Sequence, residues 1–139
     1  MPQRPDTLHP VRLTVTAPLI AAYAELTQDF NPIHLDAAFA AGTAMGGVIA
    51  HGTLSIGLIW QSLQRSVSAE DFLGAELDIR FVRPVRLAEN LVAGGRLRAD
   101  TPGVYEVWVR AEADAPTDTD AAQSERLVGS LSLAAHPAP

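Results

Sequence analysis

Apolar positions alternate with polar ones in some stretches of the chain and recur every three to four residues in others, and these two periods separate strands from helices. Val11 to Val15 alternates as a short strand. Thr16 and Pro18 then provide a helix start, through hydroxyl capping and a first-turn proline. Leu19, Ala22, Tyr23 and Leu26 follow at the i, i+3, i+4, i+7 spacing of one buried helical face, with Glu25 pointing outward. Asp29 falls where this helix ends. Pro32 biases Asn31 away from helical geometry and locks the connection, so the directions of Asp29 and His34 are better fixed than in a flexible loop.

Asp36 to Ala41 reads as another short helical turn, while Gly42, Gly46 and Gly47 break the next segment into an irregular approach to Val48-Ile49-Ala50. This approach is expected to wrap over the Asp29/His34 turn. From Thr53 to Arg65, Leu54, Ile56, Leu58, Ile59, Trp60 and Leu63 make an apolar surface too broad for a helix lying on the outside, so this helix is predicted to be the buried centre. Ser55 and Gly57 are small enough to let another backbone approach, and Arg65 suits the negative end of the helix dipole.

The remainder reads as strands. Leu77, Ile79 and Phe81 alternate with Glu76, Asp78 and Arg80 until Pro84 interrupts. Asn90 to Ala99 is a second candidate, Tyr105, Val107 and Val109 mark a third, and Leu127, Gly129, Leu131 and Leu133 form a last alternating series. Ala113 to Ser124, rich in Ala, Asp and Thr, reads as an exposed loop. Strands that follow a buried helix favour an α+β fold, an antiparallel sheet wrapped around that helix, over parallel βαβ units.

A length of 139 residues fits one domain spanning 1–139. A net charge of -6 argues against a surface that neutralises nucleic-acid phosphates, and the absence of cysteine removes disulfides, thiolate metal sites and a cysteine nucleophile. The opening Met-Pro-Gln-Arg-Pro-Asp lacks the apolar core of a signal peptide, and no apolar run approaches the ~20 residues that span a bilayer. A soluble cytoplasmic protein without membrane or nucleic-acid partners is the expectation.

Candidate chemistry concentrates in two clusters, Asp29-Phe-Asn-Pro-Ile-His34 and Ala50-His51-Gly52. A carboxylate and an imidazole held by an Asn-Pro turn form an acid/base pair, and a glycine opening a buried helix offers an uncommitted backbone N–H to a developing oxyanion. Taken singly, an Asp at a helix end is commonly a cap and a His after Asn-Pro commonly packs a loop. The two clusters together shift the balance toward chemistry on a carbonyl compound. Asn31 and Pro32 are read as shaping the turn, His51 as positioning the loop or making a structural hydrogen bond, and His9 and His136, near the termini, carry little catalytic weight.

With these residues in view, the sequence resembles the hotdog-fold MaoC-like hydratases and dehydratases, including (R)-specific enoyl-CoA hydratases. The resemblance lies in Asp29-Phe-Asn-Pro-Ile-His34-Leu-Asp36, Gly46-Gly-Val-Ile-Ala-His-Gly52 and Arg80-Phe-Val-Arg-Pro-Val85. It implies a catalytic water between Asp29 and His34, a thioester oxygen facing the Gly52 N–H, and reversible hydration of a trans-2-enoyl thioester of CoA or acyl carrier protein. No metal or redox cofactor is implied. A homodimer is implied too, with a heterodimer as the other arrangement known among such dehydratases.

Two positions depart from the family pattern: Gln28 stands where a glycine commonly precedes the aspartate, and Trp60 stands where some hydratases carry a serine supporting it. Both are expected to add bulk and to favour short acyl groups. Arg80, Arg83 and Arg86 are read as a solvated charged strand face, not as phosphate ligands. Besides the lyase, two other classes stay open: a hotdog thioesterase, and a noncatalytic acyl-thioester binding subunit.

Overall fold

The computed structural model describes residues 4–112 and 124–135. His136, the first three residues and the 113–123 part of the expected loop lie outside the described residues. Within them the chain runs β1 (Val11–Thr14), α1 (Ala17–Thr27), α2 (Pro32–Leu35), α3 (Ala37–Ala41), α4 (Gly52–Gln64), α5 (Ala69–Leu73), β2 (Glu76–Phe81), β3 (Asn90–Leu97), β4 (Val104–Glu112) and β5 (Glu125–Ser132). The strands form one five-stranded sheet in the order β1-β3-β4-β5-β2, antiparallel throughout, with β1 and β2 at its edges. This is the hotdog arrangement, a sheet curled against a central helix.

Helix starts follow local chemistry. Thr16 caps α1, its Oγ1 accepting the Leu19 N–H at 3.2 Å, with Pro18 in the first turn. Such a cap contributes about 1 kcal/mol. Asn31 caps α2, its side chain accepting the Ile33 N–H at 3.2 Å, and Asp36 caps α3 by accepting the Phe39 N–H at 3.0 Å. The turn between Asp29 and His34 is therefore tighter than a loop, because Pro32 opens a short helix that carries the histidine.

α4 is the centre of the core. Leu54, Leu58, Ile59 and Leu63 form its buried stripe and meet Leu91, Ala93, Tyr105, Val107, Val109, Leu127 and Leu131, the alternate positions that face inward from β3, β4 and β5. Gly129 lies on that inward face opposite Ile79 and Val107, but a Cβ there would fall on the backbone of Asp78, so the position has no room for a side chain. An N-terminal segment seals the far end of the sheet: Leu97 N–H donates to Asp6 O, Tyr105 Oη–H donates to Pro5 O at 2.6 Å, and Arg4 pairs with Asp71 at 2.7 Å.

Three expectations are corrected. The buried face of α1 is Ile20 and Ala24, with Leu19 and Tyr23 half-buried, whereas Ala22 is exposed and Leu26 is 79% exposed. Apolar residues surround this helix on several sides, so the repeat alone does not select the stripe. Gly57 admits no close backbone within the chain, for an added Cβ would meet nothing within 4 Å. Trp60 turns toward α5 and packs edge-on against Phe72 with ring centroids 5.9 Å apart.

Candidate active site

Asp29 follows directly after the end of α1, where Gln28 adopts the left-handed conformation at φ 58 and ψ 31. That conformation accounts for the usual glycine at this position: an L side chain is strained there by about 1–2 kcal/mol, and glycine is not. Gln28 compensates in part by donating from Nε2 to Glu25 O at 2.7 Å. Its departure from the family pattern therefore acts through the backbone, not through bulk at the site. Asp29 itself accepts the Asn31 N–H at Oδ1, 3.2 Å away, which fixes its carboxylate over the turn.

His34 comes off α2 with its ring nine-tenths buried. Ile49 O accepts from His34 Nδ1 at 2.7 Å, so the ring carries a proton on Nδ1 and turns Nε2 toward Asp29. Nε2 stands 3.9 Å from Asp29 Oδ2. The irregular segment before α4 provides this partner and is itself held on both sides, by Ile49 N–H to Ile33 O at 3.2 Å and Ala50 N–H to Val85 O at 2.8 Å. It wraps over the Asp29/His34 turn as the glycine pattern implied.

Gly52 is the first residue of α4, so its N–H has no intrahelical acceptor, and the preceding His51 provides no side-chain cap. A Cβ at Gly52 would meet the Phe81 ring at 3.1 Å, which places that ring beside the helix N-terminus. His34, Gly52, Ser55, Met45, Phe81 and Arg126 are among the residues lining a cavity of about 330 Å³. The cavity is largely apolar, and Trp60 is not among its lining residues. The expected restriction by the Trp60 indole therefore has no basis in this cavity.

His51 is buried at 3% exposure, donates from Nε2 to Asp29 O at 3.0 Å, and stacks on His34 with centroids 3.9 Å apart. Asp29, His34 and His51 together offer donor atoms within 4.8 Å of one another. His51 Nε2 is committed to the Asp29 carbonyl, so Nδ1 is the only nitrogen of that ring left to act as a ligand.

Sequence reasoning missed Arg126, whose side chain reaches the cavity from β5 and is held by Glu89 at 2.7 Å. No motif marks that long-range pair. Arg83 also lines the cavity, while Arg80 lies with Arg96, Arg98 and Arg110 in a separate depression on the sheet. His9 is far from the site, its N–H donating to Ser66 Oγ at 2.7 Å. No helix among the described residues is long and apolar enough to cross a membrane.

Fold and motifs converge on one class. Residues 3–104 match the MaoC like domain, and the chain belongs to that family. It is 36% identical over 86 residues to the (R)-specific enoyl-CoA hydratase of Aeromonas caviae, a match covering 60% of this chain and 64% of that one. Over 70 residues it is 37% identical to the 3-hydroxybutyryl-CoA dehydratase of Methylorubrum extorquens, covering 50% of this chain and 45% of the relative. The matches thus span less than two thirds of either curated relative. Among solved structures, the (R)-hydratase from A. caviae involved in PHA biosynthesis aligns with a TM-score of 0.63 and 27% identity over 96% of this chain and 100% of that one.

Proposed function

We propose that this protein is a hydro-lyase that reversibly adds water to a trans-2-enoyl thioester, as an (R)-specific enoyl-CoA hydratase or 3-hydroxyacyl-thioester dehydratase. The observation that carries this reading is the commitment of His34 Nδ1 to Ile49 O, which leaves Nε2 free beside the Asp29 carboxylate at the wall of an apolar cavity. The 3.9 Å between Nε2 and Oδ2 exceeds a direct hydrogen bond. It suits a shared water lying about 2.8 Å from each group.

In the hydration direction the water oxygen bonds to Cβ and the π pair moves toward the thioester as an enolate, whose oxygen the Gly52 N–H receives. The water proton passes into the Asp29/His34 pair, and a proton from the pair completes the Cα–H bond on the same face. Protons taken up and released balance, and no redox partner enters. The Gly52 donor is worth about 3 kcal/mol of barrier when correctly aimed.

Asp29, His34 and Gly52 are thus the proposed catalytic residues, and the substrate is an acyl thioester of CoA or of acyl carrier protein. Assembly as a homodimer is part of the proposal: among the described residues β2 is an edge strand with one unpaired side, and Phe81 and Val82 at its end are exposed beside the cavity.

Incubation of the purified protein with crotonyl-CoA, followed by chiral identification of the product, tests the reading. Formation of (R)-3-hydroxybutyryl-CoA is expected. Release of free CoA without a hydroxyacyl product would instead identify a thioesterase.

A further inference from the structure

The proposed chemistry gives no role to the buried imidazole of His51. His51 is 3% exposed, yet its Nδ1 has no hydrogen-bond partner among the described residues. An aromatic hydrocarbon would fill the same space without burying that unpartnered nitrogen, which disfavours folding. What the imidazole adds is a directional bond from Nε2–H to Asp29 O at 3.0 Å.

That bond is unlike the others that hold Asp29. Its N–H donates to Ala24 O at 3.2 Å and its Oδ1 accepts from Asn31 N at 3.2 Å, both local contacts around the α1 terminus. His51 instead ties the Asp29 main chain to the start of the central helix. Its ring lies on His34 with centroids 3.9 Å apart and planes at 27°, and Tyr23 packs against it at 5.1 Å. Tyr23 is anchored in turn, its Oη–H donating to Thr53 Oγ1 at 2.7 Å. The next peptide along the chain carries the Gly52 N–H. One buried side chain thereby links carboxylate, imidazole and helix N-terminus.

We infer that His51 is a positioning residue of this site: its Nε2–H tautomer holds the Asp29 main chain in place while its ring sets the plane of His34. The inference rests on the Asp29/His34 reading above and adds a requirement that reading does not contain. His51 touches no reacting atom; it acts through the two groups that do.

Two variants separate the bond from the stack. His51→Phe keeps an aromatic ring on His34 and deletes the donor, whereas His51→Gln deletes the ring and keeps an N–H near the Nε2 position. In crotonyl-CoA hydration His51→Phe is expected to lower kcat by about 10²-fold, the scale of a 1 Å misplacement, with KM little changed and Tm maintained. His51→Gln is expected to recover part of that kcat. Near-wild-type kcat in both variants would overturn the inference, as would a loss in His51→Phe that tracks a fall in Tm and is not relieved in His51→Gln.

Nitrogen NMR of the imidazoles in the unliganded wild-type protein supplies a readout independent of turnover. His51 is expected to carry its proton on Nε2 and His34 on Nδ1. A His51 proton on Nδ1 would overturn the inference. Failure of the wild-type protein to hydrate enoyl thioesters, with both tautomers as expected, would count against the proposed activity and not against the His51 tie.

Discussion

Asp29 Oδ2 and His34 Nε2 face each other across 3.9 Å, and the imidazole is oriented for this by a 2.7 Å bond from its other nitrogen to Ile49 O. A pair that shares one water acts as a unit, so its two members are expected to be strongly non-additive. In crotonyl-CoA hydration, Asp29→Asn and His34→Ala should each lose about 10²–10⁴-fold in kcat, and the double variant should be no slower than about the worse single one. Multiplicative losses would indicate that the two residues act separately.

The carboxylate is half exposed, so its removal leaves the core intact. Asp29→Asn is expected to shift Tm by no more than about 2 °C, as surface substitutions away from packed features change stability by about 0.5 kcal/mol or less. A large fall in Tm would move Asp29 from a chemical to a structural role.

Gln28 occupies a left-handed backbone conformation at φ 58. Replacing it with glycine relieves that strain while losing the bond to Glu25 O, so Gln28→Gly is expected to stabilise the protein by about 0.5–1 kcal/mol. Denaturant midpoints of the two proteins check this, and destabilisation would show that the side chain outweighs the backbone.

Much of the architecture is legible in the sequence because it follows from short-range chemistry. Alternation at Tyr105, Val107 and Val109 marks the inward face of β4, and the breadth of apolar positions from Leu54 to Leu63 marks the central helix. The convergence of Asp29 and His34 is legible for the same reason, since Asn31 and Pro32 lie between them. What escapes the sequence is whatever depends on distant partners. The orientation of Trp60 toward Phe72, the Arg126–Glu89 pair and the His51 bond to Asp29 O join segments between which no local period or motif exists. Leu26 shows the converse, a residue that fits an amphipathic spacing yet is left 79% exposed among the described residues.

At Gly52 a side chain would press on Phe81 from 3.1 Å. Gly52→Ala is expected to cost no more than about 1 kcal/mol of stability, because Gly52 is exposed and the Phe81 ring is 53% exposed and can give, and removal of the ring in a Gly52→Ala, Phe81→Ala double variant should recover part of that cost. Thermal unfolding of the four proteins in the cycle checks the coupling. Absence of coupling would mean that the ring moves aside freely.

Burial pushes the Tyr105 phenol above its ordinary value of 10.0. The folded state then holds its proton when the unfolded chain has lost it, so stability is full below about pH 10 and falls as pH rises beyond it. Tyr105→Phe should flatten this alkaline decline, while losing about 1 kcal/mol at neutral pH with the bond to Pro5 O. Urea midpoints between pH 8 and about 11 measure both effects; an unchanged alkaline slope would assign the decline to other groups.

The most direct test compares initial rates of crotonyl-CoA hydration by the wild-type protein and Asp29→Asn, with the product identified in each reaction. The expected result is (R)-3-hydroxybutyryl-CoA from the wild type and a rate at least about 10²-fold lower from a folded variant. Equal rates from the two proteins would contradict the assignment of Asp29 to the reaction.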